Sequence, residues 1–424
     1  MSAIKELYQH YLQSTGVTTD SRNIKKASIF FALKGENFNG NEYAAEALKN
    51  GASLAVVDDK TIDGPGFFAV DDALAALQEL AAHHRKTLDI PIIGLTGTNG
   101  KTSTKELIRE VLSVKYNTYA TAGNLNNHIG VPLTILGIKS DAGIAIVEMG
   151  ANHIGEIKEL CAIANPTHGI ITNIGKAHLE GFGSYEGIIE AKSELYQHLI
   201  AMQGDAFVHY NDEMLMDLSS QIPRATYGDD PEADVSGRIT GSVPFMGIHW
   251  GGHDVMTHLY GDYNFENVMA AICVGKFFLV NETGINKAIA SYIPTNNRSQ
   301  VVKSGSNTIF LDAYNANPSS MEVSIQQFMK QKADKKAVIL GDMLELGDAS
   351  QEEHQKVISA IENKFDTVIL VGPEFLVAGS GEGMNIFPDT NEAYRWLEQN
   401  PLADTDILIK GSRGIALERL LSVL

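Results

Sequence analysis

The sequence has 424 residues, of which 44% are hydrophobic and 20% are charged, and at about 150 residues per domain this length predicts three globular domains. Acidic residues outnumber basic residues by 52 to 33, which gives a formal charge of −19. The sequence contains no run of lysine and arginine residues. Such a chain repels a polyphosphate backbone, so we do not expect a nucleic-acid partner, although one loop of backbone N–H groups can still hold a small anion.

The two cysteines, Cys161 and Cys273, lie in apolar helical stretches, so we expect buried free thiols and neither a disulfide framework nor a zinc site. The first 16 residues lack the apolar core of a signal peptide. No run approaches the ~20 consecutive apolar residues of a membrane span. These features favour a cytoplasmic protein without a membrane span, and we expect it to be a monomer.

Strand and helix patterns alternate along the chain in three blocks, at residues 1–88, 89–297 and 298–424. The first block has predicted strands at residues 28–33, 52–57 and 66–70, and predicted helices at 42–50 and 73–86. The second has predicted strands at 91–95, 143–149 and 169–173, and predicted helices at 102–115, 154–164, 184–201 and 264–279. The third has predicted strands at 308–313, 337–340, 367–371 and 406–410, with helices between them.

Repeated strand–helix units of this kind predict an α/β fold in which a mainly parallel sheet is covered by helices on both faces. We expect a smaller N-terminal α/β domain, a central domain of the P-loop type and a C-terminal Rossmann-like domain. Residues 205–250 are rich in glycine and proline and give no clear assignment. Residues 291–299 are polar and contain a proline, which predicts a linker.

The segment GLTGTNGKT, at residues 94–102, follows a strand and opens a helix, as a phosphate-binding loop does. Its glycines let backbone N–H groups turn toward phosphate oxygens, and the helix N-terminus adds partial positive charge. The strict GxxxxGK[ST] spacing is not met, because Leu95 stands where glycine is required, so an ordinary glycine turn is the alternative. The candidate nucleotide-binding residues of this loop are Gly97, Thr98, Asn99, Gly100, Lys101, Thr102 and Ser103.

Three further side chains could complete a site around this loop. Glu148 ends an apolar strand, where a carboxylate is costly unless it binds a metal ion or accepts hydrogen bonds from loop N–H groups. His178 follows the next strand and is either a ligand or a structural histidine. Lys192 lies within the apolar stripe of a helix, so it either reaches the surface along its aliphatic stem or provides a functional amine that could be modified into an anionic ligand.

In this order the motifs resemble those of the Mur ligases, which join amino acids or dipeptides to UDP-N-acetylmuramoyl substrates, and the resemblance covers nearly the whole chain. The family's nucleotide motif is TGTNGKT, here residues 96–102, which accounts for the departure from strict spacing. The resemblance implies ATP as substrate, with Mg²⁺ at Thr102 and Glu148. It also implies a second Mg²⁺ near His178 and Lys192, the lysine that family members carry as a carbamate.

The resemblance assigns the remaining nucleotide contacts to two segments. The family's H-N-x-x-N pattern near the adenine appears as YNFEN at residues 263–267, so Asn264 and Asn267 are retained while Tyr263 replaces the histidine. The alternative for this pair is an asparagine cap at a solvated helix start. In the third block the implied residues are Arg298 near the γ-phosphate on domain closure, Asp312 near the ribose, and Tyr314 and Asn315 near the nucleotide. The alternative for this DAYNANP segment is a strand-to-helix turn.

Within the family, DAYNANPSSM, LGDMLELG and KGSRG in the third block resemble the members that add D-alanyl-D-alanine to UDP-N-acetylmuramoyl-tripeptide. TTDSR and FFALKGENFNG in the first block resemble a uridine-diphosphate-binding domain. The implied substrate-binding residues are Ser21, Arg22 and Gly40 in the first block, and Asn126, Asn127 and His128 in the second.

In the implied reaction, ATP converts a peptide carboxylate into an acyl phosphate, and the amine of D-alanyl-D-alanine then attacks this acyl phosphate. The implied catalytic residues are Lys101, Glu148, His178, Lys192 and Arg298. Three alternatives remain. They are a sibling Mur ligase adding the third residue, a ligase like folylpolyglutamate synthase, and a P-loop NTPase that switches conformation without making a bond. A non-catalytic nucleotide-binding module is disfavoured, because Lys101, Thr102 and Glu148 are all intact.

Overall fold

The computed structural model describes residues 3–177, 179–295, 297–379 and 381–424. Three main sheets follow one another along the chain, with four, nine and six strands, and helices cover them. The α/β fold class with three successive sheet-based units is therefore confirmed. His178 lies outside the described residues.

The first unit is a small parallel sheet of order β1-β2-β5-β6, with a separate antiparallel hairpin β3-β4. The strands are β1 (Val17–Thr18), β2 (Ile29–Phe31), β3 (Lys34–Gly35), β4 (Phe38–Asn39), β5 (Leu54–Val57) and β6 (Phe67–Ala69). The helices are α1 (Ala3–Gln13), α2 (Ala44–Lys49) and α3 (Ala73–Arg85). Leu77 and Leu80 of α3 pack into the same apolar core as the central sheet, so this unit is joined to the next by buried contacts.

The central sheet has the order β15-β14-β13-β12-β11-β10-β7-β9-β8. Its strands are β7 (Ile92–Thr96), β8 (Thr118–Ala120), β9 (Ile144–Glu148), β10 (His168–Ile171), β11 (Asp205–His209), β12 (Arg224–Gly228), β13 (Val235–Gly241), β14 (Gly247–Trp250) and β15 (His253–Met256). Pairing is parallel from β8 through β13 and antiparallel for the last two strands. Residues 205–250, which have no clear sequence pattern, thus contain β11 to β14, and β15 after them completes an antiparallel meander at the edge of the sheet.

Helices cover both faces of the central sheet, because its inner strands are apolar on both sides. Ile92 and Ile93 are both fully buried, yet they belong to separate cores on opposite faces. The helices are α4 (Lys101–Leu112), α5 (Gly130–Gly137), α6 (Glu156–Ala164), α7 (Leu179–Phe182), α8 (Tyr185–Met202), α9 (Glu213–Leu218), α10 (Phe265–Phe277) and α11 (Glu282–Ser291). The stripe of Leu107, Ile108 and Val111 places α4 against α10 over one of these cores.

The third unit is a six-stranded sheet of order β16-β17-β21-β18-β19-β20, parallel except for the edge pair β16-β17. Its strands are β16 (Gln300–Ser304), β17 (Asn307–Asp312), β18 (Lys336–Gly341), β19 (Thr367–Val371), β20 (Met384–Phe387) and β21 (Asp406–Lys410). Its helices are α12 (Pro318–Met329), α13 (Ser350–Ile361), α14 (Pro373–Ala378) and α15 (Thr390–Gln399). The parallel order with helices between strands matches the Rossmann-like prediction.

Smaller differences from the expectations lie at element ends. The helix predicted to start at Asn264 starts at Phe265, after a 3-10 turn at Asp262–Asn264. The predicted linker at residues 291–299 begins inside α11 and ends at the buried Ser299, so it is shorter and less exposed than expected. Both cysteines are buried free thiols, as predicted. Among the described residues, no helix is long and apolar enough to cross a membrane.

Candidate functional site

One cavity of about 890 Å³ lies where the central sheet meets the third unit. Its walls come from the segments that follow β7, β9, β10 and β17, so it opens at the carboxyl ends of parallel strands, where α/β proteins bind ligands. Six of the seven predicted loop residues line it, all but Gly97. The cavity is also lined by Glu148, Arg298 and every predicted residue of the two segments at 264–267 and 312–315.

The loop between β7 and α4 has the backbone that a phosphate cradle requires. Gly100, the residue before α4, has a left-handed φ of +79° and provides no side-chain cap to the helix. The first N–H groups of α4 are therefore available to an anion. A side chain at Gly97 would collide with Thr172, and one at Gly100 would collide with Asn267, so both positions exclude larger residues. This crowding favours a specialised loop over the ordinary glycine turn.

Lys101 folds back over this loop. Its ammonium donates hydrogen bonds to the carbonyl oxygens of Gly97, at 2.6 Å, and Thr98, at 2.9 Å. Burial lowers the pKa of Lys101 to about 8; the charge of Arg298 acts in the same direction, and Glu148 opposes both. The Lys101 side chain therefore lies at the cavity wall with its ammonium held by two carbonyl oxygens of the loop.

Glu148 is 1% exposed, and side chains hold its carboxylate. Thr102 Oγ1 lies 3.0 Å from Oε2, and Asn126 Nδ2 donates to Oε1 at 2.9 Å. Lys105 Nζ lies 3.5 Å from Oε2. The alternative that loop N–H groups satisfy this carboxylate is wrong, because its observed partners are side chains from α4 and from the segment after β8.

The Thr102–Glu148 pair fits a magnesium ion by its chemistry. A hydroxyl and a carboxylate oxygen 3.0 Å apart offer the oxygen ligands that Mg²⁺ prefers. Within the described ranges, no group of three or more histidine, cysteine, aspartate or glutamate side chains could hold a metal ion.

Lys192 lies on α8 and is 3% exposed, so the alternative that it reaches the surface along its aliphatic stem is wrong. Its ammonium is 5.2 Å from the centre of the Phe182 ring. The pKa of Lys192 is lowered to about 7 by burial and, to a smaller extent, by the charge of Lys101. The charges of Glu156 and Glu194 act in the opposite direction. Lys192 is near enough to Lys101 for their charges to interact, but it is not among the described residues lining the cavity.

The neighbouring Glu194 has a structural task that the sequence did not indicate. Its carboxylate accepts hydrogen bonds from the N–H groups of Gly155, at 2.6 Å, and Lys158, at 2.8 Å. Gly155 precedes α6 and supplies no side-chain cap of its own. Glu194 therefore caps α6 from α8 and holds these two helices together next to Lys192.

Asn264 and Asn267 are buried, so the alternative of a solvated helix start is wrong. Thr104 donates to Asn267 Oδ1 at 2.9 Å, and Asn267 donates to Asn264 Oδ1 at 3.0 Å. Asn264 then reaches Ser299 Oγ at 3.2 Å. This chain of hydrogen bonds joins the phosphate-loop helix to α10 and to the start of the third unit. The hydroxyl of Tyr263 also lies 3.2 Å from Ser299 Oγ.

The third unit contributes a charged wall to the cavity. The Arg298 guanidinium stacks on the Tyr314 ring with 3.5 Å between its carbon and the ring centre, and its buried Nε has no hydrogen-bond partner among the described residues. Asp312 pairs with Lys410 at 2.7 Å. Burial alone would raise the pKa of Asp312, but the Lys410 ammonium lowers it below the ordinary value. Asn315 is exposed at the cavity rim.

Asn317 makes a direct contact between the third unit and the phosphate loop, which the sequence did not predict. Its Nδ2 donates to Asn99 Oδ1 at 2.8 Å. Its Oδ1 accepts from Ser320 N–H at 2.8 Å and so caps α12. The asparagine-proline pair in DAYNANP signalled the helix start, but nothing in the sequence indicated which loop the capping residue would touch.

The predicted substrate residues divide into two groups. Asn126, Asn127 and His128 all line the cavity. Ser21, Arg22 and Gly40 belong to the first unit and are not among the cavity-lining residues. Arg22 is largely exposed and pairs with Asp20 at 2.9 Å, whereas Gly40 is buried where a side chain would collide with the backbone near Leu33.

Comparison with known proteins accounts for this arrangement. The model of the Mur ligase middle domain matches residues 95–275, and that of the Mur ligase glutamate ligase domain matches residues 297–413. A third model, for the catalytic domain of the Mur ligase family, matches residues 13–85. The chain belongs to the Mur ligase family. The resemblance inferred from the motifs is thus confirmed at the level of the family.

Individual Mur ligases match over nearly their whole length. The UDP-N-acetylmuramoyl-tripeptide--D-alanyl-D-alanine ligase of Bacillus subtilis (strain 168) is 35% identical, over 96% of this chain and 92% of the relative. A crystal structure of MurF from Acinetobacter baumannii has a TM-score of 0.86 at 30% identity, covering 98% of this chain and 97% of the other. The MurF ligase of Thermotoga maritima, solved in complex with ADP, has a TM-score of 0.86 at 26% identity, with 97% of both chains covered.

Proposed function

We propose that this Mur ligase consumes ATP and joins D-alanyl-D-alanine to UDP-N-acetylmuramoyl-tripeptide, the two substrates that the name of its Bacillus subtilis relative gives for that protein. One structural observation carries the proposal. A single cavity is lined by the phosphate loop, by Glu148, by the 126–128 segment and by Arg298 of the third unit. Sites for a nucleotide, a metal ion and the peptide carboxylate would therefore lie within reach of one another.

The reaction needs an activated carboxylate, because hydroxide is too poor a leaving group for amide formation. The terminal carboxylate of the tripeptide attacks the γ-phosphorus of ATP, which gives an acyl phosphate and ADP. The free amine of D-alanyl-D-alanine then adds to the acyl carbon, and the tetrahedral intermediate collapses with loss of phosphate and a proton. Positioning and charge neutralisation supply most of the catalysis in phosphoryl transfer of this type.

In this proposal the phosphate loop binds the β- and γ-phosphates. The N–H groups of Gly100, Lys101 and Thr102 face phosphate oxygens, and the Lys101 ammonium exchanges its two carbonyl contacts for the phosphates. Thr102 and Glu148 hold Mg²⁺, which supplies neutralisation of the phosphate charge. Asn264 and Asn267 face the adenine, as the cavity wall at the start of α10 allows.

Lys192 is proposed to act as a carbamate. Its pKa of about 7 leaves a substantial fraction of the amine neutral near neutral pH, and the neutral amine is the form that combines with CO₂. Carbamylation would replace a cation that repels Mg²⁺ with an anion that binds it. A second Mg²⁺ would then be held by Lys192 together with His178.

The three units take separate roles in the proposal. Residues 1–88 bind the UDP-muramoyl part through Ser21, Arg22 and Gly40, residues 89–297 bind ATP, and residues 298–424 bind the amine and close over the nucleotide. On closure, Arg298 neutralises the γ-phosphate, and its buried unpartnered Nε is consistent with that use. Asp312 and Tyr314 would approach the ribose and the nucleotide, with Asn315 at the rim.

A phosphate-release assay with ATP and UDP-N-acetylmuramoyl-tripeptide tests the assignment when only the amine is varied. Turnover should require D-alanyl-D-alanine, and the product should be the pentapeptide. Release without any amine would identify a switch NTPase. Turnover with glutamate or with a free diamino acid in place of D-alanyl-D-alanine would overturn the assignment.

A further inference from the structure

A second lysine of α4, Lys105, is fully buried one helical turn beyond Lys101 and has no role in the proposal above. An ammonium ion is rarely buried unless its charge is paired and its N–H groups have acceptors. On the helix it shares a face with Ile108 and Leu112, which also lie in the core. A position that would suit an apolar residue instead holds a cation.

The surroundings of Lys105 explain how that cation is tolerated. Its Nζ donates to the carbonyl oxygens of Thr121, at 2.7 Å, and Gly123, at 3.3 Å. It also lies 3.1 Å from Glu106 Oε1 and 3.5 Å from Glu148 Oε2. The ammonium therefore ties the phosphate-loop helix to the segment after β8 and to the carboxylate at the cavity wall.

Lys105 also places a positive charge in direct contact with Glu148, whose charge acts on Lys101 as well. The other described side chains that hydrogen-bond this carboxylate, Thr102 and Asn126, are neutral. Glu106, the second carboxylate beside Lys105, has a further partner in Arg109 at 2.6 Å. If the Glu148 carboxylate bound another cation, Lys105 would still have Glu106 and two backbone carbonyls as acceptors.

We propose that Lys105 is a positioning residue that serves as a built-in counter-cation for Glu148 and keeps a divalent ion from binding there before the nucleotide does. Its positive charge repels a free divalent ion that approaches Glu148. The phosphates of a bound nucleotide add enough negative charge to reverse that balance, so the metal ion enters with ATP. The inference rests on the proposed role of Glu148 as a metal ligand.

Binding of Mn²⁺ to the nucleotide-free enzyme, followed at pH 8 by the loss of the free-ion electron paramagnetic resonance signal, tests this idea. Lys105→Gln removes the charge but keeps a donor for the Thr121 carbonyl. We expect it to bind free Mn²⁺ at least about tenfold more tightly than the parent protein, because a like charge close to the site is gone. Lys105→Arg keeps the charge and should match the parent.

Arg109→Gln is the matched control, because it removes a cation from the same helix that pairs with Glu106 and Glu110 and not with Glu148. Its affinity for free Mn²⁺ should equal that of the parent. Adding Glu148→Gln to Lys105→Gln should abolish the gain, which locates the bound ion. Thermal unfolding verifies that each variant is folded. If Lys105→Gln does not fold, Lys105→Met takes its place in the assay.

Unchanged affinity for free Mn²⁺ in Lys105→Gln would overturn the inference. So would parent protein that binds Mn²⁺ as tightly without nucleotide as with ADP, once the Mn²⁺ bound by ADP alone is subtracted, a result that needs no variant. The proposed function fails differently: if the parent binds no Mn²⁺ even with ATP, Glu148 is not a metal ligand. Tight Mn²⁺ binding with ATP and no effect of Lys105→Gln would refute only the role of Lys105.

Discussion

Lys192 allows a quantitative test, because its pKa is lowered to about 7 by burial and by the charge of Lys101. A lysine with an ordinary pKa of about 10.4 is neutral in roughly one molecule in 2,500 at pH 7. At a pKa near 7, about half of the Lys192 side chains are neutral at that pH, roughly a thousandfold more. We therefore expect Lys192 to form a carbamate with dissolved CO₂ at pH 7 to 8.

The assay compares enzyme prepared in CO₂-free buffer before and after addition of ¹³C-labelled bicarbonate. A carbamate carbon should appear in the ¹³C spectrum, and ligase turnover should rise with it. Lys192→Met should lack both the signal and the turnover. Lys287→Met, which removes an exposed lysine from α11, should retain both. Absence of the carbamate carbon, combined with turnover that is indifferent to bicarbonate, would refute the reasoning.

The lowered pKa of Lys192 also makes the stability of the fold depend on pH. Between pH 7 and the ordinary pKa of lysine, the unfolded chain binds a proton that the folded chain does not, so this residue makes stability rise with pH across that interval. In CO₂-free buffer at pH 7, Lys192→Met should unfold at higher denaturant concentration, with a gain of at most about 4 kcal/mol. The gain should vanish toward pH 10, and equal stability of both proteins at every pH would contradict the buried amine.

Three further substitutions test other contacts. Lys101→Ala should lower ATP-dependent phosphate release at least about a hundredfold without unfolding the chain, measured as initial rates beside the melting temperature. Asn317→Ala removes both the α12 cap and the bond to Asn99, so thermal unfolding should show a loss of about 1 kcal/mol, and the KM for ATP should rise. Lys410→Met leaves Asp312 without its 2.7 Å partner and should cost about 3 kcal/mol in denaturant unfolding, part of which Asp312→Asn in the same chain should restore.

Local patterns in the sequence located most of the fold and the centre of the site. The strand before Gly97, the helix after Gly100 and the acid at the end of β9 each leave a signal within ten residues, and the structure brings them together at one sheet edge. The antiparallel meander β13–β15 left no such signal. Its short strands are defined by pairing with one another, and that pairing does not appear in local periodicity.

The residues that the sequence missed act through distant partners. Lys105, like Lys192, is a lysine within the apolar stripe of a helix, and that pattern could have identified it as a buried cation. Its acceptors at residues 121 and 123 could not be predicted from the sequence. Lys410 was noted within a motif, but its pairing with Asp312 depends on the adjacency of β17 and β21. Contacts of this kind are fixed by strand order, which emerges only when the whole sheet has formed.

The two hydrogen bonds from the Lys101 ammonium have a consequence for how the site is occupied. Without a bound anion, the carbonyls of Gly97 and Thr98 are already tethered to a cation, so the loop is held in one conformation. If the loop binds the triphosphate of ATP as proposed, little of the binding free energy is spent on ordering the loop. Lys101 in this way preorganises the loop for its ligand.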